Sequence, residues 1–187
     1  MVRGMQVMVE VGCGPEEYAR EQRHCLVAAP SRCPNCESSG KLEALGYYPR
    51  YTTDAQGRAI EILVRRFQCG SCAITVSCLP DFAQPYRILN SATVEAYFRG
   101  QCERHDVLRN EELLRRYWRR FVSFSATLPQ VLGGGFGRAP PGEEAEALWR
   151  RLLAACKTLA GCTCRLVRDF RTTCFGIYRC HQPRLAR

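Results

Sequence analysis

Two Cys-x-x-Cys pairs, Cys33-Pro34-Asn35-Cys36 and Cys69-Gly70-Ser71-Cys72, stand 32 residues apart, and no other feature restricts the fold of the chain as tightly. Each pair sets two sulfurs on one tight turn. Two such turns can share one ion if the chain between them doubles back, and that segment reads as a hairpin. Leu42 to Tyr51 is rich in aromatic residues, Asp54-Ala55-Gln56-Gly57 has the chemistry of a turn, and Ala59 to Gln68 alternates Ile60, Ile62 and Val64 against Glu61 and Arg65. A third short strand is expected from Ile74 to Leu79. Four thiolates make a closed tetrahedral site, which suits one structural Zn²⁺ and leaves no open position to activate water. The expected ligands are therefore Cys33, Cys36, Cys69 and Cys72. Gly70 is expected to ease the second turn.

The other cysteines carry less information. Thirteen cysteines without the long apolar core of a secretory signal in Met1 to Gly12 point to a reducing compartment. No apolar run reaches the length of a membrane helix, so the expected location is the cytoplasm, or the nucleoid for a DNA-binding chain. A second metal site from Cys162, Cys164, Cys174, Cys180 and His181 is not expected, because their spacing forms no double knuckle. Cys13, Cys25, Cys78, Cys102 and Cys156 read as packing residues or free thiols.

Formal net charge is +9, and of the 27 basic residues only Lys41 and Lys157 are lysines. Guanidinium donates two hydrogen bonds in one plane and so suits phosphate. A positive excess of this size favours a polyanionic partner, although a GC-rich genome also encodes arginine in place of lysine. Two clusters stand out. Arg115, Arg116, Arg119 and Arg120 form two i, i+4 pairs on a helix expected from Asn110 to about Phe124, opposite a face of Leu114, Tyr117, Trp118 and Phe121. Arg165, Arg168 and Arg171 belong to a tail, 161–187, whose six arginines face the single acid Asp169, with Phe170, Phe175 and Tyr178 interleaved. Both clusters also fit a solvated outer face over packed aromatics.

The expected fold class is α+β: a small β zinc ribbon, then an α-helical region, then a short helical tail rich in Cys and Arg. The expected segments are 1–30, within which Pro15 can open a short helix; the ribbon, 31–82; the helical region, 83–132; a Gly/Pro linker, 133–142; and the C-terminal helix and basic tail, 143–187. Asn90-Ser91 is expected to cap a helix reaching about Arg99, and another helix is expected from Glu143 to about Leu159.

The stretch from Arg32 to about Tyr97 resembles an uncharacterised bacterial family of transposon-associated zinc-ribbon proteins. The likeness is carried by the two knuckles, Gly46-Tyr47-Tyr48-Pro49-Arg50, Val64-Arg65-Arg66-Phe67-Gln68, Leu79-Pro80-Asp81-Phe82 and Pro85-Tyr86. It implies that the four cysteines bind zinc, that helices of helix-turn-helix type follow, and that Trp118-Arg119-Arg120-Phe121 resembles a recognition helix. The resulting expectation is a non-catalytic nucleic-acid-binding protein, DNA-directed and related to mobile elements. The alternative is an interaction module that docks on a polymerase or transposase through Tyr47, Tyr48 and Tyr51. An enzyme is the least favoured class. Asp54, Asp81, Asp106 and Asp169 are scattered along the chain, as are His24, His105 and His181, and none of them forms a recognisable nuclease or other catalytic set.

Overall fold

A computed structural model describes residues 4–140 and 142–177. Its sheet has the order β1-β4-β3-β2, with β1 (Gly4–Val9), β2 (Leu42–Thr53), β3 (Ala59–Cys69) and β4 (Thr75–Pro80). The hairpin β2–β3 and the strand β4 occupy the expected stretches, and β3 pairs antiparallel with both neighbours. The fourth strand comes from the N-terminal segment. β1 pairs parallel with β4, and α1 (Pro15–Arg20) lies against β3, with its Tyr18 fully buried among Ile62, Val64, Leu79 and Phe82. Residues 1–30 are thus part of the sheet unit, because β4 is buried along its whole length and needs a partner on its far edge.

The helical part comprises α2 (Ser91–Phe98), α3 (His105–Arg109), α4 (Glu111–Ser125), α5 (Leu128–Leu132), α6 (Ala145–Cys156) and α7 (Leu159–Phe170), followed by a small hairpin, β5 (Thr172–Thr173) and β6 (Gly176–Ile177). One core joins them: Val94, Leu114, Phe121, Leu148, Trp149, Leu152, Leu166 and Phe175 all belong to it. Asn90 caps α2 as expected, its side chain accepting from the Thr93 amide at 2.8 Å.

Three segments differ from the sequence reading. The stretch expected to be tail contains α7, whose buried residues Leu159, Cys162, Thr163, Leu166 and Val167 follow helical spacing. The preceding helix ends at Cys156 because Lys157 takes a left-handed φ of 66° and Thr158 then caps α7 by accepting from the Gly161 amide. The described residues of the Gly/Pro stretch 133–142 form no helix or strand, as its composition dictates, yet the stretch is no free tether. Phe136 is buried in the helical core against Phe170, and Arg151 donates to the Phe136 and Gly137 carbonyls. Segment 143–187 therefore packs with 83–132 over the residues described.

The ribbon and the helices are also joined directly, at the hairpin tip. The Asp54 carboxylate accepts from the amides of Gln56 and Arg58 and from the Arg58 guanidinium, which shapes the turn. Asn90 donates to the Thr53 and Asp54 carbonyls, and Asn110 donates to the Gly57 carbonyl at 3.0 Å. Gly57 has a φ of +74°, and a Cβ there would lie 2.9 Å from the Asp106 carbonyl oxygen and 2.5 Å from Asn110 Nδ2. Replacing Gly57 by Ala should accordingly cost about 2–4 kcal/mol, read as a lower urea midpoint.

Asp106 is buried at the base of α3. Burial alone would raise its pKa, but the Thr93 hydroxyl at 2.6 Å and the paired Arg104 guanidinium outweigh burial and lower it. The unfolded chain, with its higher carboxylate pKa, takes up the proton first. The stabilisation is thus intact above about pH 4 and fades as pH falls through the folded value. Asp106→Asn should reduce stability at pH 7 and flatten its decline between about pH 5 and 2, as followed by urea unfolding at each pH.

Candidate metal centre

The two knuckles are local copies of one another. Cys33 and Cys69 each accept, through their carbonyl, from the amide four residues on, Glu37 at 2.9 Å and Ala73 at 2.8 Å. Each also donates its own amide to the carbonyl five residues on, Ser38 and Ile74, both at 3.0 Å. Glu37 and Ala73 both adopt left-handed φ, 60° and 56°. The sequence points to Gly70 as the residue that eases the second turn. In the structure the positive φ falls one residue past each second cysteine, and the Gly70 amide instead donates to the Lys41 carbonyl at 2.8 Å.

The β2–β3 hairpin carries the second knuckle back to the first, with Leu42 opposite Cys69. The sulfurs of Cys33, Cys36, Cys69 and Cys72 all lie within 4.8 Å of one another. Cys33 to Cys72 and Cys36 to Cys69 are each 3.7 Å, and all four are free thiols. A metal–sulfur bond of about 2.3 Å in a regular tetrahedron gives sulfur–sulfur edges of about 3.8 Å. The four sulfurs therefore form a cluster that can hold one metal ion.

Local donors prepare these sulfurs for negative charge. The Ser38 hydroxyl, 3.4 Å from Cys69, brings that thiol down to about 6, aided by the Cys72 and Ser71 amides against burial. Ser38, 3.1 Å from Cys36, lowers that thiol as well. Burial pushes Cys33 up, and the Cys36 and Asn35 amides only partly oppose it. A dication among the sulfurs favours thiolate on all four. Ser38 had no sequence signal of its own, since it lies outside the four-residue motif.

The basic residues fall into different situations. Arg115 and Arg116 are paired with Glu111 and Glu112 one turn away on α4. Arg120 donates from Nε to the Phe175 carbonyl at 2.8 Å, whereas Arg119 is exposed with no ion pair among the described residues. Arg165 lies over the Phe136 ring, 4.3 Å from its centroid, and donates to the Gly135 carbonyl. Arg168 pairs with Asp169. Arg171, left-handed at the end of α7, lines an open groove of about 570 Å³ with Arg168, Arg32 and Cys33. α7 thus brings two of the arginines expected in the tail beside the first knuckle, and Arg32 joins them.

Cys162 and Cys174 are fully buried, and Cys164 lines the groove. Cys180 and His181 lie outside the described residues. No helix among the described residues is long and apolar enough to cross a membrane.

Residues 33–117 match a family model described as a domain of unknown function (DUF6431). The match starts at the first metal-site cysteine, takes in both knuckles, the hairpin, β4, α2 and α3, and ends within α4. It spans less than half of the chain. No curated protein and no solved structure gives a significant match.

Cys69→Ser should lower the melting midpoint by about 10 °C or more, and a strong chelator should produce a comparable drop in the wild type but little further change in the variant. Cys25→Ser, at an exposed position, should leave the midpoint within about 2 °C. Differential scanning fluorimetry reads all five samples.

Proposed function

We propose that the chain is a non-catalytic nucleic-acid-binding protein, DNA-directed, folded around one Zn²⁺ bound by Cys33, Cys36, Cys69 and Cys72. Zinc is the preferred ion because four soft thiolates at tetrahedral spacing match its coordination and leave no site for a reacting water. On the resemblance of its ribbon, the protein is related to proteins of mobile elements.

The observation that supports nucleic acid most is the groove beside the first knuckle. Arg32 and Arg171, with no ion pair among the described residues, line it beside Arg168, which is paired with Asp169, and Glu37 is the one carboxylate among the described lining residues. The groove runs between β1, the metal turn and α7, so elements far apart in sequence supply its charge. Convergent guanidiniums in a concave surface hold a phosphate backbone without reading bases. The α4 arginines serve less well, since Arg115 and Arg116 are neutralised by their own helix.

A helix-turn-helix has limited support. α3 has five residues, and Asn110 alone separates it from α4, where that motif uses a turn of about three or four residues. In the Trp118-Arg119-Arg120-Phe121 segment, Phe121 is fully buried and Trp118 packs edge-on against Phe98. We therefore assign DNA contact to the groove first.

One observation favours docking on a protein partner as a second reading. β2 ends the sheet, and its Leu45, Tyr47 and Tyr51 are exposed, the last at 58%. Tyr48 is half-buried and packs against the core of the sheet unit, so it leaves this surface. A pull-down after nuclease treatment separates the two readings: partner capture that needs Tyr51 and survives nuclease favours docking.

On the main reading, an electrophoretic shift with zinc-loaded protein should show duplex binding at low salt that weakens steeply as salt rises. Arg32→Gln with Arg171→Gln should flatten the salt dependence by about two phosphate contacts. Undetectable binding to any DNA or RNA at low salt would contradict the reading.

A further inference from the structure

A second cavity, of about 830 Å³, lies where α4 meets the loop after β4 and the β5–β6 hairpin. Arg87 and Arg120 line it with Ser123 and Thr173, and Tyr86 and Phe124 contribute aromatic wall. No carboxylate is among the described residues that line it. Neither arginine has an ion pair among the described residues, and the sequence carries no Asp or Glu after Asp169.

The two guanidiniums are held in place. Arg87 sits 5.4 Å from the Tyr117 ring centroid and 5.5 Å from that of Phe175, and its Nη1 donates to the Tyr86 carbonyl at 3.0 Å. Its Nε is buried and has no acceptor among the described residues. The left-handed φ of 57° at Tyr86 turns the loop that carries it. Arg120 spends Nε on the Phe175 carbonyl, which leaves its terminal amino groups without an acceptor among those residues. Burial and the neighbouring Arg120 charge both disfavour the Arg87 cation, with Tyr117 opposing them.

Arg87 is half-buried with its Nε unmet, and the exposed Arg120 adds a second positive charge beside it, so a shared anion relieves the repulsion and supplies the missing acceptor. Their planar forks match phosphate oxygens, the Ser123 hydroxyl adds a donor, and the aromatic wall suits a flat apolar body such as a base. We infer that this cavity binds a nucleotide phosphate with its base against Tyr86 and Phe124. The phosphate belongs to a free mononucleotide or to the 5′ end of a strand. The choice of a nucleotide rests on the nucleic-acid reading above, though the site does not overlap the groove on which that reading stands.

Calorimetric titration of the zinc-loaded full chain tests the inference, using dAMP, deoxyadenosine, and one short oligonucleotide with and without a 5′-phosphate, at matched ionic strength. The expected result is dAMP binding at least tenfold tighter than deoxyadenosine, weakened at least tenfold by Arg87→Gln and by Arg120→Gln and unchanged by Arg20→Gln. Should either variant fail to fold, the wild type still gives an answer: dAMP should protect Arg87 and Arg120 from phenylglyoxal, as mapped by peptide mass. A 5′-phosphate preference in the oligonucleotide pair identifies the strand end as the ligand, and its absence alongside dAMP binding identifies the free nucleotide. Equal binding of dAMP and deoxyadenosine, or no protection of the two arginines, overturns the inference. If strands still bind in that case, the nucleic-acid reading stands without this site. If dAMP binds through the arginines and no strand binds, the site stands and that reading falls.

Discussion

Four sulfurs within 4.8 Å of one another define the constraint on which the rest of the structure depends. As thiols they gain little from such proximity; as thiolates they repel unless a cation lies among them. The geometry is set by two identical turns, each closed by the same pair of backbone hydrogen bonds and the same left-handed residue. That repetition lets sequences as different as Pro34-Asn35 and Gly70-Ser71 build the same half-site. An ion at this position closes the base of the hairpin and ties the order of β2 and β3 to the thiolates.

The tip of that hairpin extends the effect. Gly57 and Asp54 are bound by Asn90 and Asn110, and Asn90 is itself the cap of α2. The metal end of the hairpin and the helical core are thus joined through the hairpin tip. At the other side of the sheet unit, Gln84 is fully buried and bonds to Ser91 and Thr163, which fastens α7 to the turn after β4. α7 consequently reaches the first knuckle, and charge that looks like a loose basic tail in the sequence becomes the wall of a groove. The positive excess is distributed unevenly: acids in the first turn of α4 neutralise Arg115 and Arg116, whereas Arg119 and Arg120 further along that helix, and Arg32, Arg87 and Arg171 elsewhere, have no ion pair among the described residues.

Much of the metal site was legible in the sequence. Spacing named the four cysteines, and alternation named the hairpin to within two residues at each end, because both signals are local. Ser38 and the left-handed pair Glu37 and Ala73 were not legible, since neither residue type announces a positive φ or a bond to sulfur. β1 was missed because its partner β4 lies more than 60 residues away, and a parallel pairing leaves no turn signal. α7 was hidden by its content: its two cysteines pointed to metal chemistry or core packing, although Leu159, Leu166 and Val167 already had helical spacing. Phe136 shows the same limit, since glycines and prolines around it predict an irregular backbone but not whether that backbone is packed.

On the proposed function, one zinc ion bound by sulfur alone organises the fold. Zinc-edge X-ray absorption on protein purified without added chelator measures this directly. The expected result is one zinc per chain with four sulfur neighbours at about 2.3 Å. A shell containing nitrogen or oxygen, or protein that is folded and free of metal, would contradict it.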